Sequence, residues 1–301
     1  MKIYTVKESG FCFGVKRALN IIYGLNEQKQ DTQIYGQLIH NKTALDQLEA
    51  KGIETIQSLD RLDPRKKLVI RTHGIKKDEE ERLKKEGIDY VDATCPLVKN
   101  LHHIIEKLQN KDTQILIIGD KNHPEVIAAQ SYGDNVTVIN SEAEAAAMKK
   151  ADRLDVLAQT TLDSDHFERI VALLAAKAGK LEVHNTICNT TKVRQEAIKK
   201  LAPRVDFVVV LGGKNSSNTR KLYNIALNRN KNTFYIQKSS HLNDPAFIAG
   251  IKDFRSVAIA AGASTPPGEI EEAKNILRNI NLSIEKETNN GKRKRNCKHN
   301  H

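Results

Sequence analysis

Asp92-Ala93-Thr94-Cys95-Pro96-Leu97-Val98 places a cysteine after a short apolar run, Tyr90 and Val91, and just before a helical pattern. The spacing around it recurs. Cys95 is followed 28 residues later by His123, Cys12 by His40 at the same distance, and Cys188 by Ser216. In all three cases the second residue lies in a loop after a β-rich run. Three cysteines, each heading a similar unit, predict three related lobes that meet at one centre.

The units themselves alternate strand and helix. Lys2 to Val6 reads as a strand, and Gly10-Phe11-Cys12-Phe13-Gly14 as a turn around the first cysteine. Ala18, Leu19, Ile22 and Leu25 then mark a helix by their spacing. Thr32–Tyr35, Lys67–Ile70, Gln114–Ile118, Val136–Ile139, Asp155–Ala158, Asp206–Leu211, Thr233–Ile236 and Ser256–Ala260 read as further strands. Helices follow most of them, and Asp163–Ala178 is expected to be one long helix. Such alternation predicts an α/β fold of three similar lobes with mostly parallel sheets. The expected boundaries are 1–94 with the N-terminal strand, 95–187, 188–284, and a basic, disordered tail at 285–301.

Composition narrows the class. Apolar residues make up 39% and charged residues 28% of 301 residues, as in a globular protein with room for two or three cores. No apolar run is long enough to cross a membrane, and the N-terminus lacks the apolar stretch of a secretory signal. The chain therefore reads as cytoplasmic, where cysteines serve catalysis or metals more often than disulfides. Cys297, in a polar tail, reads as a bystander. The formal charge is +11, of which Lys292, Arg293, Lys294, Arg295 and Lys298 supply five. The milder excess on the body suits a phosphorylated small substrate or an acidic protein partner. Aromatic residues are 5%, without tryptophan and without a basic-aromatic run, which argues against nucleic-acid binding.

In parallel sheets, ligands bind beyond the carboxyl ends of the strands. Those ends carry His40, His73, His123, Thr160, Ser216 and Ser264. Ser216, Ser217 and Asn218 sit between Gly212-Gly213 and a helix start, offering hydroxyls, an amide and backbone N–H groups to an anion. An ordinary cap by Ser217 or Asn218 is the plainer reading of that loop alone; several such loops together fit a phosphate or diphosphate. Three thiolates from separated loops can hold an iron–sulfur cluster with one iron open to a substrate oxygen. Zinc with an open position is the rival, although the close cysteine pairs of zinc sites are absent; structural cysteines are a third reading. Glu125, beside Pro124 and two residues after His123, is a candidate acid or simply a helix-start glutamate. Thr160 is placed to relay a proton or hold a water. His102, His103, His166 and His184 read as surface residues.

GFCFGVKRAL around Cys12, IHN at Ile39–Asn41, THG at Thr72–Gly74, DATCPLV around Cys95, NHPEV at Asn122–Val126, QTTL at Gln159–Leu162, ICNTTKVRQ around Cys188, GKNSSN at Gly213–Asn218 and GAS at Gly262–Ser264 occur in that order. Together, from about Phe11 to Ile270, they resemble the 4-hydroxy-3-methylbut-2-enyl diphosphate reductase (LytB/IspH) family. The resemblance implies three lobes around a pseudo-threefold axis with a central [4Fe-4S] cluster held by Cys12, Cys95 and Cys188. It implies that His40, His73, His123, Ser216, Ser217, Asn218 and Ser264 bind the substrate diphosphate, that Glu125 delivers protons and that Thr160 assists. The implied reaction is reductive dehydroxylation of an allylic diphosphate to isopentenyl and dimethylallyl diphosphate, the last step of the methylerythritol phosphate route. Electrons would come from ferredoxin or flavodoxin, whose acidic surfaces suit a basic body. Asn122 stands where glycine is common and Thr190 where alanine is common; neither removes a needed donor. A quinolinate synthase-like dehydratase, also built on three lobes and three cysteines, is the alternative enzyme.

Overall fold

The computed structural model describes residues 1–109 and 111–297, with side chains through Lys286. The chain forms two compact units, one made of Met1–Phe11 with Arg194 onward and the other of Cys12–Val193. Its secondary structure begins with β1 (Lys2–Thr5), which belongs to the first of these units.

The Cys12–Val193 unit carries two four-stranded sheets. The first runs through α1 (Phe13–Glu27), β2 (Thr32–Tyr35), α2 (Lys42–Glu49), β3 (Glu54–Ile56), β4 (Lys67–Ile70), α3 (Lys77–Lys85) and β5 (Tyr90–Asp92). The second runs through α4 (Pro96–Leu108), β6 (Gln114–Ile118), α5 (Pro124–Gln130), β7 (Val136–Ile139), α6 (Glu142–Ala147), β8 (Ala151–Ala158), α7 (Ser164–Ala175) and β9 (Ala178–His184). Their strand orders are β3-β2-β4-β5 and β7-β6-β8-β9, with every pairing parallel.

The other unit continues from α8 (Asn189–Leu201), whose first residues belong to the preceding unit, into β10 (Phe207–Leu211), α9 (Ser217–Arg229), β11 (Thr233–Ile236), α10 (Pro245–Ile251), β12 (Ser256–Ala261) and α11 (Pro267–Cys297). Its sheet, β1-β12-β10-β11, is parallel throughout. The three lobes expected from the sequence are therefore present, with one reassignment. The N-terminal strand does not join lobe 1–94; β1 pairs with β12, Lys2 opposite Ser256 through Thr5 opposite Ile259. The reason is topological. Each sheet needs a fourth strand beside its third, and β5 and β9 fill that place in the first two. Among the described residues β12 is followed by α11, and β1 takes the place beside β12.

The central strands are apolar without alternation because helices cover both faces of a parallel sheet. In β10, Phe207, Val209 and Leu211 face Leu277, Ala273 and Ile280 of α11. Val208 and Val210 face Ile198 of α8 and Leu222 and Ala226 of α9. In β6, Leu116 and Ile118 meet Phe167, Ile170 and Leu174 of α7, and Ile115 and Ile117 meet Leu101, Ile105 and Leu108 of α4. Each fully buried aliphatic side chain contributes roughly 1.5–3 kcal/mol, so these double-sided strands anchor their lobes.

Sequence reading misses β3, β9 and α10. The expected helix to Ala178 stops at Ala175, and Ala178–His184 pairs with β8 instead. β9 alternates weakly and is an edge strand, so tertiary pairing decides it. From Glu285 to Cys297 the backbone continues α11 rather than ending in a disordered tail, as a stretch rich in Glu, Lys and Arg without proline permits. Residues 298–301 lie outside the described residues.

One buried ionic network braces the second sheet. Asp155 on β8 is 0% exposed. It accepts hydrogen bonds from Thr113 Oγ1 at 2.7 Å and Arg153 Nε at 3.2 Å, and pairs with His184 Nε2 at 2.7 Å. Burial alone would raise its pKa; the bonds from His184, Thr113 and Arg153 hold it below the ordinary carboxylate value. Arg153 also pairs with Glu182 at 3.1 Å. Removing one member of such a network leaves its partners uncompensated. Asp155→Asn is expected to lower unfolding free energy by about 3 kcal/mol in urea titrations; a loss under about 0.5 kcal/mol would mean the network is ornamental.

Candidate functional site

Each sheet has one place where adjacent strands send their connections in opposite directions. It lies between β2 and β4, between β6 and β8, and between β10 and β12. The crevice outside the carboxyl ends of such a strand pair is where open α/β sheets bind ligands. Every strand-end residue picked from the sequence lies in one of the six loops that leave these strand pairs.

In the first sheet, the loops after β2 and β4 carry His40 and His73. Thr72 ties them, its Oγ1 donating to the Leu38 carbonyl at 2.7 Å. Gly36, with φ +71°, lets the chain turn sharply at the end of β2; a Cβ there would lie 2.5 Å from Nη1 of Arg71. In the second sheet, His123 heads α5 in the loop after β6. The three imidazoles converge. Ring centroids are 4.4 Å apart for His40–His73, 5.4 Å for His40–His123 and 5.5 Å for His73–His123. Burial depresses the His73 pKa well below the usual imidazole value, aided by His40, His123 and Arg71. Burial and then Arg71 lower His40 in the same direction. These two rings are thus neutral hydrogen-bonding groups near pH 7, and an anion arriving among them would favour their protonated forms.

Glu125 is the second residue of α5, two after His123, and is 2% exposed. Thr160, at the end of β8, grips its carboxylate twice: the backbone N–H donates to Oε1 at 2.6 Å and Oγ1–H to Oε2 at 2.8 Å. The Glu125 N–H donates to His123 Nδ1 at 3.2 Å, which places that ring's proton on Nε2. Gln159 joins the two loops, its Oε1 accepting from the Asp120 N–H at 3.1 Å. The arrangement sets a carboxylate held by a hydroxyl and an N–H beside an imidazole that accepts from the backbone of the same glutamate.

Cys12 and Cys95 are the N-cap residues of α1 and α4, and Cys188 immediately precedes α8. All three are free thiols of intermediate exposure. Burial pushes the Cys95 thiol pKa up, and Cys12 and Cys188 push it further, while the Leu97 and Val98 N–H groups oppose the shift. The thiols are thus mutual neighbours. A single tetrahedral zinc would hold sulfurs about 3.8 Å apart. Among the described residues, the groups with ligand atoms within 4.8 Å of one another are His40/His73/His123 and Asp155/Glu182/His184, and the three cysteines are not such a group. Three thiolates from separate loops are a donor set that an iron–sulfur cluster accepts. Gly14 lets the two cysteine turns approach, since a Cβ there would lie 2.9 Å from Cys95 Sγ.

In the Met1–Phe11 and Arg194-onward unit, the loops after β10 and β12 bring their own anion donors. Ser216, rather than Ser217 or Asn218, is the cap of α9, accepting from the Thr219 N–H at 3.3 Å. Asn218 is buried, and among the described residues neither its amide nitrogen nor its oxygen has a hydrogen-bond partner. Such a group is costly unless a ligand or water completes it. Ser217 is half-buried and Ser264 is buried.

Four further side chains have placements that residue type alone does not signal. Arg17 donates from Nη1 to the Thr94 carbonyl and from Nη2 to the Asp92 carbonyl, both at 3.2 Å, so α1 clamps the loop that ends in Cys95. Arg194, almost wholly buried, donates to the Glu8 carbonyl at 2.6 Å and the Gly10 carbonyl at 3.0 Å. Both arginines lie inside quoted cysteine motifs, which was the available signal. His102, expected at the surface, is buried and stacks on Tyr132 at 4.1 Å; helix α4 turns that side inward. His184 is half-buried against Asp155.

Comparison with known proteins bears on the same residues. A sequence model described as LytB protein matches residues 3–278. A 4-hydroxy-3-methylbut-2-enyl diphosphate reductase of Caldanaerobacter subterraneus subsp. tengcongensis is 40% identical over 293 residues, covering 95% of this chain and all of its own. The like-named Aquifex aeolicus protein is 38% identical, over 92% of this chain and 96% of its own. Among solved structures, (E)-4-hydroxy-3-methyl-but-2-enyl diphosphate reductase, described as the terminal enzyme of the non-mevalonate pathway, matches with TM-score 0.67 and 36% identity, over 93% of this chain and all of that one. The Plasmodium falciparum E-1-hydroxy-2-methyl-but-2-enyl-4-diphosphate reductase matches with TM-score 0.87 and 28% identity, over 93% and 89%. With the motifs in order and nearly the whole chain matched, this protein belongs to the LytB family.

Proposed function

We propose that this chain is the reductase its relatives are named for, converting 4-hydroxy-3-methylbut-2-enyl diphosphate to isopentenyl and dimethylallyl diphosphate with loss of water. The observation that carries the reading is the doubly held, buried carboxyl of Glu125 beside three converging imidazoles. An anion site and a proton source are what an allylic alcohol bearing a diphosphate requires.

Cys12, Cys95 and Cys188 would hold one [4Fe-4S] cluster, leaving one iron open to substrate. When bound, that cluster supplies the two electrons and a Lewis-acidic iron for the hydroxyl oxygen. The chain's own residues do the rest. His40, His73 and His123 are donors for the diphosphate oxygens, and Ser216, Ser217, Asn218 and Ser264 are donors of the same kind. Charge-assisted hydrogen bonds to phosphate are the stronger kind, and imidazoles that gain protons on anion binding strengthen them further. Glu125 delivers a proton to the departing oxygen, which then leaves as water. Thr160 fixes both carboxylate oxygens so that this proton points in one direction, and its hydroxyl can pass the next one. The electrons come from an acidic one-electron carrier, ferredoxin or flavodoxin in class, in keeping with the basic body. The parallel three-lobed reading also suits quinolinate synthase-like chemistry, but a dehydratase has no need of an external reductant, so reductant-dependent turnover separates the two.

The test is anaerobic turnover of the allylic diphosphate with reduced methyl viologen. Glu125→Gln keeps the shape of the side chain and removes the acid. It is expected to lower kcat by at least about 100-fold while iron and sulfide content stay at the wild-type level; retained turnover would remove Glu125 from the acid role. A second expectation concerns assembly. Gly14→Ala drives a methyl group against Cys95 Sγ, so it should lower iron content per chain and visible absorbance, as Ser in place of any of the three cysteines should. Full iron loading in Gly14→Ala would show that the cysteine loops give way more freely than their geometry suggests.

A further inference from the structure

A lysine stands four residues after each of the three cysteines: Lys16, Lys99 and Lys192. The structure makes these positions equivalent. Each lysine's backbone N–H donates to the carbonyl of its cysteine, at 3.0 Å in all three cases. The lysines therefore complete the first turns of α1, α4 and α8. None of those turns carries an acidic residue, whereas α3 opens with Asp78, Glu79 and Glu80. Cations so placed oppose the positive end of the helix dipole. Local rules broken in the same way three times mark function more often than folding.

Two of these three charges are also poorly neutralised. Among the described residues, neither Lys16 nor Lys192 has a carboxylate within ion-pair reach; Lys99 has Asp92 at 2.5 Å. Arg17, next to Lys16, spends its guanidinium on two backbone carbonyls, which leaves its charge uncompensated. Beside them lies exposed apolar surface. Phe13, adjacent to Cys12, is 67% exposed, the most of any large hydrophobic side chain among the described residues, and Leu97, two residues from Cys95, is 44% exposed. The two turns touch through Gly14 and Cys95, so Phe13 and Leu97 flank one contact. An exposed aromatic anchor with cations at its rim is the composition of a protein-docking patch, and it would suit a partner of opposite charge.

We propose that Phe13 and Leu97, with Lys16 and Lys99 beside them and Lys192 at the third cysteine, form the docking surface for an acidic one-electron carrier protein. This rests on the reductase reading above and adds where the electrons enter. Each docking delivers one electron; two deliveries with two protons account for cleavage of the C–O bond and release of the oxygen as water. The patch sits within one to four residues of each cysteine, which keeps the path from carrier to centre short.

The test compares two reductants on the iron-loaded full chain. One is a reduced ferredoxin of acidic surface, and the other is reduced methyl viologen, which needs no protein surface. Phe13→Ala and the double variant Lys16→Glu/Lys192→Glu are expected to lower ferredoxin-driven kcat/KM about 10-fold or more and to flatten its decline with added salt. Methyl viologen turnover and iron content should stay within about twofold of wild type, because ordinary surface substitutions perturb folding little. Lys16→Gln/Lys192→Gln should give an intermediate loss with ferredoxin. Equal losses with both reductants would overturn the proposal, since the lysines would then serve the centre itself. An unchanged ferredoxin rate would overturn it by placing the carrier elsewhere. Failure of the wild-type chain to turn over with methyl viologen would instead strike the reductase reading on which the proposal rests.

Discussion

A parallel sheet requires every strand to start at one edge and finish at the other, so the connecting helices must cross its faces. When the chain moves first to one side of a starting strand and then to the other, two neighbouring strands end side by side with their connections diverging. The gap this leaves cannot be closed by the sheet's own hydrogen bonds. In each of the three lobes it lies between the same two strands, the first and third of the lobe, as β2 and β4, β6 and β8, and β10 and β12 show. A polar side chain braces each gap: Thr72 to the Leu38 carbonyl, Gln159 to the Asp120 N–H, and Thr265 to the Leu211 carbonyl at 3.1 Å. The imidazoles, the acid and the serine loops occupy what these braces hold open.

The cysteines answer to the same geometry. β5 leads into Cys95, β9 into Cys188 and β1 into Cys12, so a cysteine follows the fourth strand of every sheet. Each then heads a helix, so the three thiols share one local backbone setting. The repeated 28-residue offset is the outward sign of this plan. It spans one helix and one strand, from the cysteine to the loop beyond the first central strand of the next sheet.

That explains what the sequence discloses and what it conceals. The central strands are legible because burial on both faces makes them continuous apolar runs, as in Phe207–Leu211. The cysteines and strand-end residues are legible because their chemistry is unusual and their spacing repeats. The home of β1 is hidden, because pairing between residues 2–5 and 256–259 leaves no local trace. β9 and His102 are hidden for a similar reason: edge pairing decides one, and stacking on Tyr132 the other. Arg17 and Arg194 look like ordinary cations until their guanidinium groups are seen bonded to backbone carbonyls, and sequence carries no record of which carbonyl faces which side chain.

Two threonines tie the cysteine loops to neighbouring strand ends. Thr72 and Thr160 each lie two residues beyond the end of the third strand in their sheets. The carbonyl of Thr72 accepts the Cys95 N–H at 3.0 Å, and that of Thr160 accepts the Cys188 N–H at 2.8 Å. Their side chains then differ in use. Thr72 turns to the loop of His40, whereas Thr160 turns to the carboxylate of Glu125. One residue thus joins a cysteine to the loop of His40, and its counterpart joins a cysteine to Glu125. Because backbone and side chain of a single residue make both contacts, neither link can lengthen without moving the other. A reaction that must place a proton on an oxygen while electrons arrive at the same carbon–oxygen bond depends on that separation staying constant, and rigid strand ends hold it better than flexible loops could.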